Sequence, residues 1–243
     1  MIPMSVWKVL GILLTVLLGI GAVFFARQTI LYYQAIQRGE ANPFLEERLQ
    51  STASKLAANQ NVTAGDLAAL ADPKAPSQGP ADARLTIVEF LDYACPFSRR
   101  TFESVRELAI ERAGDIRLII RDFPLEDLHP GATKAAMAAR CAQEQGNFWA
   151  YHDKLFLLDQ RSFADEDLTR IASEIGLNVS TFVTCLDSAR TRPPVEADLL
   201  AGLKAGVQGT PTFFFNGVKV QGAPSAEALN YIADRFLENA KNQ

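Results

Sequence analysis

The chain has 243 residues, of which 48% are hydrophobic and 21% are charged, a composition typical of a folded globular protein. This composition excludes wholesale disorder. The net charge of −4 gives no basic surface for phosphate backbones, so it argues against a nucleic-acid partner.

The first feature along the chain is an apolar segment, residues 9–26, that carries no charged side chain and lies between Lys8 and Arg27. About 18 helical residues at about 1.5 Å each span about 27 Å, close to the hydrocarbon thickness of a bilayer. Residues 1–27 are therefore predicted to form an uncleaved transmembrane signal anchor. A cleaved signal peptide is the alternative, because residues 19–21 form a weak small-x-small cleavage site.

Residues 28–69 are predicted to be a juxtamembrane helical spacer that is interrupted near Asn42 and Pro43. Residues 28–60 carry one weakly apolar helical face. This face suits either a solvated spacer or a stalk through which the chain forms a homo-oligomer. Residues 72–83, DPKAPSQGPADA, are rich in proline and are predicted to be a linker ahead of the folded domain.

The folded domain begins with a predicted buried strand, residues 85–92, which leads directly to Cys95. The strand is apolar, rich in β-branched residues and too short for a buried helix. Pro96 suits the first turn of a helix, and apolar residues at helical spacing continue to Arg112. Unpaired N–H groups and the helix dipole at that position favour a thiolate. Cys95 is therefore predicted to be a nucleophile, and a buried, inert cysteine is the alternative.

The later elements are predicted from apolar spacing, caps and turns. Asn178 or Ser180 is expected to cap the helix that carries Cys185, and Asn216-Gly217 is a strong hairpin signal. The predicted elements are a strand over 116–123, helices over 132–159 and 165–175, the helix with Cys185, a hairpin over 212–220 and a helix over 225–238. The expected order is strand, helix, strand, helical block, hairpin, helix.

Three motifs in this order resemble the DsbA-like branch of the thioredoxin superfamily. They are VEFLDYACPF, FPLEDLHPGATKAAMAARCAQEQGNFWAYHDKLF and GTPTFFFNG. The resemblance covers about residues 70–236. It implies an α/β, thioredoxin-like fold over residues 70–243, with an inserted helical domain at about 125–190.

The resemblance also implies a substrate-binding site. In the family, a threonine-proline pair lies against the active-site cysteine, which implies a cis bond between Thr210 and Pro211. The Thr210 backbone would then pair with an extended substrate strand, and Phe97 would contact the substrate.

Two further residues have family counterparts. Glu89 matches an acid beneath the active site and would relay a proton, unless it is solvated or ion-paired. His129 precedes Pro130 in the inserted motif and is assigned a structural role at a helix start rather than a catalytic one.

The three cysteines leave one thiol unpaired in an oxidising compartment. The resemblance implies that Cys141 and Cys185, both in the insertion, form a structural disulfide. Two buried, reduced thiols are the alternative. Such a disulfide places the domain outside the cytoplasm, in the periplasm, with a single-pass anchor in a bacterial inner membrane. Two histidines and the lack of clustered Cys/His ligands predict no metal site, and no cofactor is expected.

Ser98 stands where the family pattern carries its second active-site cysteine. A hydroxyl forms no disulfide, but it can donate a hydrogen bond to the Cys95 thiolate. We therefore predict an isomerase or reductase that exchanges disulfides with cysteine-containing client proteins through Cys95 alone. The resolving sulfur would come from the client, from glutathione or from a membrane thiol reductase. The alternatives are a non-redox peptide-binding module and an envelope-assembly module on the same scaffold.

Overall fold

The computed structural model describes residues 19, 23–27, 29–30, 69–158 and 163–241. The chain divides into two units, Met1–Ser54 and Lys55–Gln243, and the fold below belongs to the second. Most of the predicted anchor (1–27) and nearly all of the predicted spacer (28–69) lie outside the described residues. Within the described ranges, no helix combines the length and apolarity that a membrane crossing requires.

Among the described residues, five strands form one mixed sheet with the order β1-β3-β2-β4-β5. They are β1 (Ser77–Gln78), β2 (Leu85–Leu91), β3 (Ile116–Asp122), β4 (Thr212–Phe215) and β5 (Val218–Gln221). β2 pairs parallel with β3 and antiparallel with β4, so Glu89 lies between Ile120 and Phe213. The strand that leads to Cys95 is therefore held by hydrogen bonds on both sides.

Helices cover both faces of the sheet. They are α1 (Pro96–Glu111), α2 (Ala132–Glu144), α3 (Phe148–Leu157), α4 (Asp165–Glu174), α5 (Val179–Asp187), α6 (Arg192–Lys204) and α7 (Ala226–Lys241). Side chains alternate along β2, so Ile87 and Leu91 pack in the core beneath α1 and α7. Val88 and Phe90 pack in a second core on the α6 side. From β2 onward, the element order predicted from the sequence is confirmed.

Helix α6 packs closely on the sheet because Gly202 has no side chain. A Cβ at this position would lie 2.6 Å from Cδ2 of Phe123 and 3.0 Å from Cδ1 of Phe90. The helix was not predicted, because its apolar side chains form no clear face. Its available signal was the pair Pro193 and Pro194 in the first turn, where proline is well tolerated.

Strand β1 is the second difference from the predicted elements. Residues 72–83 were expected to be a linker, but Ser77 and Gln78 pair antiparallel with Ile119 and Leu118 of β3. Two polar residues show no apolar alternation, so the sequence gives no sign of a strand here. Ser77 and Gln78 form one because they pair with the edge of β3 that β2 leaves open.

Helices α2 to α5 lie between β3 and α6, within the predicted limits of the insertion. The helical segment predicted over 132–159 forms two helices, α2 and α3, which are separated at Gly146, whose φ of 76° lies outside the helical region. Asn178 caps α5, since its Oδ1 accepts a hydrogen bond from the Thr181 N–H at 2.9 Å. Phe102 of α1 stacks on Phe156 of α3 with centroids 4.8 Å apart. The insertion therefore packs against the helix that Cys95 precedes.

Four buried charges join the insertion to the sheet. Arg121 Nε donates to Asp198 Oδ1 at 2.6 Å, and Arg140 Nε donates to Asp122 Oδ2 at 2.6 Å. Arg140 also contacts Asp198. Burial is the largest influence on Asp122 and raises the pKa of its carboxyl to about 6, against the opposing effect of Arg140. Because each charge has an opposite partner, the cluster ties α2 and α6 to β3.

Candidate active site

Cys95 is the N-cap residue of α1, and Pro96 occupies the first turn. Its carbonyl accepts the first helical hydrogen bond, from the Arg99 N–H at 3.0 Å. The amides of Phe97 and Ser98 belong to the first turn, whose N–H groups have no acceptor within a helix. This end of α1 is therefore electropositive and rich in donors. The predicted placement of Cys95 at a helix N-terminus is confirmed.

The Cys95 sulfur contacts the loop that leads into β4. Its Sγ donates to the Thr210 carbonyl at 3.2 Å, across 115 residues of sequence. The bond between Thr210 and Pro211 is cis, as the resemblance implies. The Pro211 carbonyl accepts a hydrogen bond from the Gly222 N–H at 3.0 Å, which connects this loop to the end of β5. The structure thus brings three predicted site residues together.

A cleft of about 470 Å³ opens beside this contact. Its lining includes Cys95, Phe97, Arg100, Leu128, His129, Thr210 and Pro211. Phe97 is 53% exposed and Leu128 is 72% exposed, whereas Cys95 is only 3% exposed. The Arg100 guanidinium lies 5.2 Å from the centroid of the Phe97 ring. The cleft therefore has an apolar rim, one cation and the thiol at its base.

Ser98 and Glu89 do not line this cleft. Ser98 is buried on the face of α1 that carries Phe102, and its hydroxyl has no hydrogen-bond partner among the described residues. Glu89 is buried on β2, on the sheet face beneath α1. Within the same described residues its Oε1 is also unpaired. Burial raises the pKa of the Glu89 carboxyl from 4.5 to about 8. Both predicted residues thus lie behind the thiol, in the layer between sheet and helix.

Sequence reasoning did not identify Asp92 and did not assign His129 to the site. Asp92 Oδ2 lies 2.7 Å from His129 Nδ1 and accepts the Leu125 N–H at 3.0 Å. The predicted structural role of His129 is also present, because its carbonyl accepts the Ala132 N–H at the start of α2. The sequence did contain a signal for this pair, because Asp92 directly follows the strand that leads to Cys95 and His129 is one of only two histidines in the chain.

The second histidine has a different environment. His152 is buried and its Nδ1 lies 3.0 Å from the Tyr93 hydroxyl. Burial is the main cause that lowers the pKa of His152 to about 3, so this imidazole is neutral at ordinary pH. It packs among aromatic rings and does not line the cleft.

The remaining two cysteines are joined to each other. Cys141 of α2 and Cys185 of α5 form a disulfide with Cα atoms 5.8 Å apart, the pairing that the resemblance implies. Cys95 is the free cysteine. Within the part of the chain that the structure describes, no group of three or more His, Cys, Asp or Glu side chains is arranged to hold a metal ion.

Comparison with known families gives one match that covers most of the domain. A profile of the family described as Thioredoxin matches residues 71–235. A thioredoxin-like oxidoreductase from Silicibacter pomeroyi superposes with a TM-score of 0.62 at 30% identity, over 69% of this chain and 95% of that one. The thiol-disulfide exchange protein α-DsbA2 from Wolbachia pipientis superposes with a TM-score of 0.63 at 22% identity, over 78% and 97% of the two chains. At 22% identity, the similarity to α-DsbA2 shows a shared fold.

Curated relatives are similar over part of their length. The chain is 39% identical over 153 residues to the Na(+)/H(+) antiporter NhaA 3 of Salinispora tropica. The aligned region covers 63% of this chain and 23% of the antiporter. The chain therefore spans about a quarter of the length of the curated relatives that it matches.

Proposed function

Because the chain belongs to the thioredoxin family, we propose that it is a thiol–disulfide exchange protein that acts through Cys95 alone. One observation carries this proposal. Cys95 lies at a helix N-terminus, with its sulfur 3.2 Å from the Thr210 carbonyl and at the base of an open cleft. The relative at 30% identity is described as an oxidoreductase, which supports the same class of chemistry.

The reaction begins with attack of the Cys95 thiolate on one sulfur of a client disulfide. The client S–S bond breaks, a Cys95–client S–S bond forms, and the other client sulfur leaves as a thiolate that takes up a proton. The exposed rings and methyl groups of Phe97 and Leu128 bind client side chains. The backbone at Thr210 pairs with an extended client segment.

Release of the client needs a second sulfur, because Ser98 cannot supply one. Cys141 and Cys185 are already bonded to each other. If a different thiol of the client attacks, a new client disulfide forms and the outcome is isomerisation, whereas return of the released thiol restores the original disulfide. If glutathione or a membrane thiol reductase attacks, the outcome is net reduction of the client. The single thiol therefore favours isomerase or reductase activity over dithiol oxidation.

Glu89 is assigned the role of a proton reservoir behind the thiol. With its pKa raised to about 8, this carboxyl holds its proton at neutral pH. Ser98 lies in the same layer with an unpaired hydroxyl, which is available to stabilise the Cys95 thiolate. Substituting Glu89 or Ser98 and measuring the rate of disulfide exchange at Cys95 tests each assignment.

We assign the protein to the extracytoplasmic side of a bacterial inner membrane, held there by residues 1–27. The charge-free segment 9–26 supports the anchor. So do Val23, Phe24 and Phe25, which are helical and exposed. The disulfide between Cys141 and Cys185 supports an oxidising compartment for the domain.

A non-redox peptide-binding or envelope-assembly module is the second candidate. The observation that favours it is the contrast between the exposed apolar rim of the cleft and the nearly buried Cys95. Such a module would bind an extended peptide without using the thiol. Oligomerisation through residues 28–60 would favour an assembly role.

The test is a non-reducing gel of wild type, Cys95→Ala and Ser98→Cys after incubation with a disulfide-bonded client or oxidised glutathione. Wild type is expected to accumulate mixed disulfides that are absent from Cys95→Ala. Ser98→Cys places a resolving thiol one helical turn from Cys95, so its adducts should fade and dithiol oxidase activity should appear. A wild type that forms no adduct under conditions where iodoacetamide labels Cys95 would favour the peptide-binding module.

A further inference from the structure

Asp92 fixes the orientation of the His129 ring. Asp92 is completely buried, and its Oδ2 lies 2.7 Å from His129 Nδ1. Its Oδ1 accepts the Ala94 N–H at 2.8 Å, and Oδ2 also accepts the Leu125 N–H at 3.0 Å. An ionised carboxylate only accepts hydrogen bonds, so Nδ1 carries the proton that bridges the pair. The other ring nitrogen, Nε2, is left as the atom that can exchange a proton.

The same aspartate also positions the nucleophile. The Asp92 carbonyl accepts the Cys95 N–H at 3.0 Å, while its side chain holds His129. The imidazole and the thiol line the same cleft, and His129 is 22% exposed. One buried residue therefore contacts both the backbone of the nucleophile and the ring of His129, and the thiol and the imidazole line one opening.

Among the described residues that line the cleft, His129 carries the one imidazole, a group whose ring nitrogens can both accept and donate a proton. Arg100 of α1 contributes a permanent positive charge to the lining. On the loop of His129, Glu126 is bound to the Gly131 and Thr133 N–H groups, and Asp127 is exposed. Glu89 lies behind the thiol, so it does not meet the cleft.

We propose that His129 Nε2 carries the proton from the Cys95 thiol to the sulfur that leaves the client. This inference rests on the proposed exchange activity and assigns a further residue to it. Nε2 takes the Cys95 S–H proton, which produces a thiolate and an imidazolium. The thiolate attacks, one S–S bond breaks and another forms, and the imidazolium N–H protonates the departing client sulfur. One proton moves, and the number of disulfides is unchanged.

Two uncharged disulfides separate this role from a structural one. Hydroxyethyl disulfide releases a basic alkyl thiolate that benefits from a proton donor. 4,4′-Dithiodipyridine releases an acidic heteroaromatic thiol that needs none. Removal of the Cys95 proton is common to both reactions, so the ratio of their second-order rate constants reports the proton delivered to the leaving sulfur.

The variant is His129→Asn in the full chain, because the asparagine amide can still donate to Asp92 but has no atom in place of Nε2. The control is Asp127→Asn, an exposed substitution two residues away on the same loop. We expect the rate with hydroxyethyl disulfide, relative to dithiodipyridine, to fall about 100-fold or more in His129→Asn and to stay unchanged in the control. Cys95→Ala gives the background rate.

An unchanged ratio in His129→Asn, with wild-type adducts present, overturns the assignment of His129 alone. If wild type reacts with neither disulfide at Cys95, the proposed function fails and the inference falls with it. A thermal unfolding curve checks that His129→Asn is folded. If it is not, His129→Ser replaces it, because serine also has no atom in place of Nε2, and the same ratio supports or overturns the proposal.

Discussion

At the scale of single residues, Glu89 has an unusual environment. It lies on the central strand between Ile120 and Phe213, and one of its oxygens has no partner among the described residues. A buried carboxylate without a cation loses its hydration and gains no compensating charge. The protonated form is therefore favoured, which is why the pKa rises to about 8.

This environment predicts how stability depends on pH. The folded pKa of Glu89 is raised above its ordinary 4.5, so its stabilising contribution is complete below pH 4.5 and is lost as pH rises through about 8. Glu89→Gln has no charge to bury, so it should be more stable than wild type by about 3 kcal/mol at pH 7. The two should be similar at pH 4.

Urea unfolding at pH 4, 6 and 8 measures this difference. Glu103→Gln is the matched control, because Glu103 lies exposed on α1 and should leave the pH dependence unchanged. Parallel pH curves for wild type and Glu89→Gln would contradict the buried, uncompensated carboxyl.

The burial of Glu89 was one of two alternatives for this residue, and its strand context already favoured it. The run LTIVEFL is apolar on both sides of Glu89, as in a strand covered on both faces. The pairing of Asp92 with His129 was not predictable in this way. It joins residues 37 apart in sequence, and only the path of the chain after β3 brings them together.

At the scale of elements, the disulfide joins the second and fifth helices. Cys141 and Cys185 are both buried and are separated by 44 residues. Closing a loop of this size restricts the unfolded chain, which stabilises the folded state by about 4 kcal/mol in the chain-entropy estimate.

The double variant Cys141→Ala/Cys185→Ala should therefore lose about 4 kcal/mol of unfolding free energy. It should still form Cys95 adducts under conditions where it is folded, because the disulfide does not line the cleft. Denaturant unfolding measures the first effect. Wild type treated with a reductant provides the control and should match the double variant. A loss below about 1 kcal/mol would show that the insertion is held mainly by its packing and its charge cluster.

Local signals were sufficient for several elements. Asn216 and Gly217 both have positive φ, of 46° and 89°, as a two-residue hairpin turn requires. Asn178 was one of two candidate caps, and the structure selected it. The limits of local signals appear at α6, which is placed by Gly202 against Phe123 and by Asp198 between two arginines. Those contacts come from distant parts of the chain.

At the scale of the whole molecule, the proposed anchor would determine which clients the domain meets. We expect the full chain to remain with bacterial membranes after a carbonate wash, because segment 9–26 is apolar over about the thickness of a bilayer. Protease added to spheroplasts should degrade the domain while a cytoplasmic marker stays intact. A chain that starts at residue 69 behind a cleavable signal peptide is the control and should be released. Release of the full chain would favour a cleaved signal peptide.

The sequence by itself determined the features that depend on neighbouring residues. The strand before Cys95, the proline after it and the apolar spacing of α1 fix a cysteine at a helix N-terminus, because these preferences act within a few residues. The serine at position 98 likewise excludes a disulfide between positions 95 and 98 whatever the fold.

Only the tertiary structure decided what surrounds that cysteine. The resemblance implied the contact with Thr210, but the buried Asp92, its bound His129 and the shared cleft were not predicted. They join residues that follow β2 to the loop after β3 and the loop before β4. No local pattern encodes these distances, because they follow from the pairing of β2 with both β3 and β4. The sheet carries distant loops to the same edge, and there the thiol gains its neighbours.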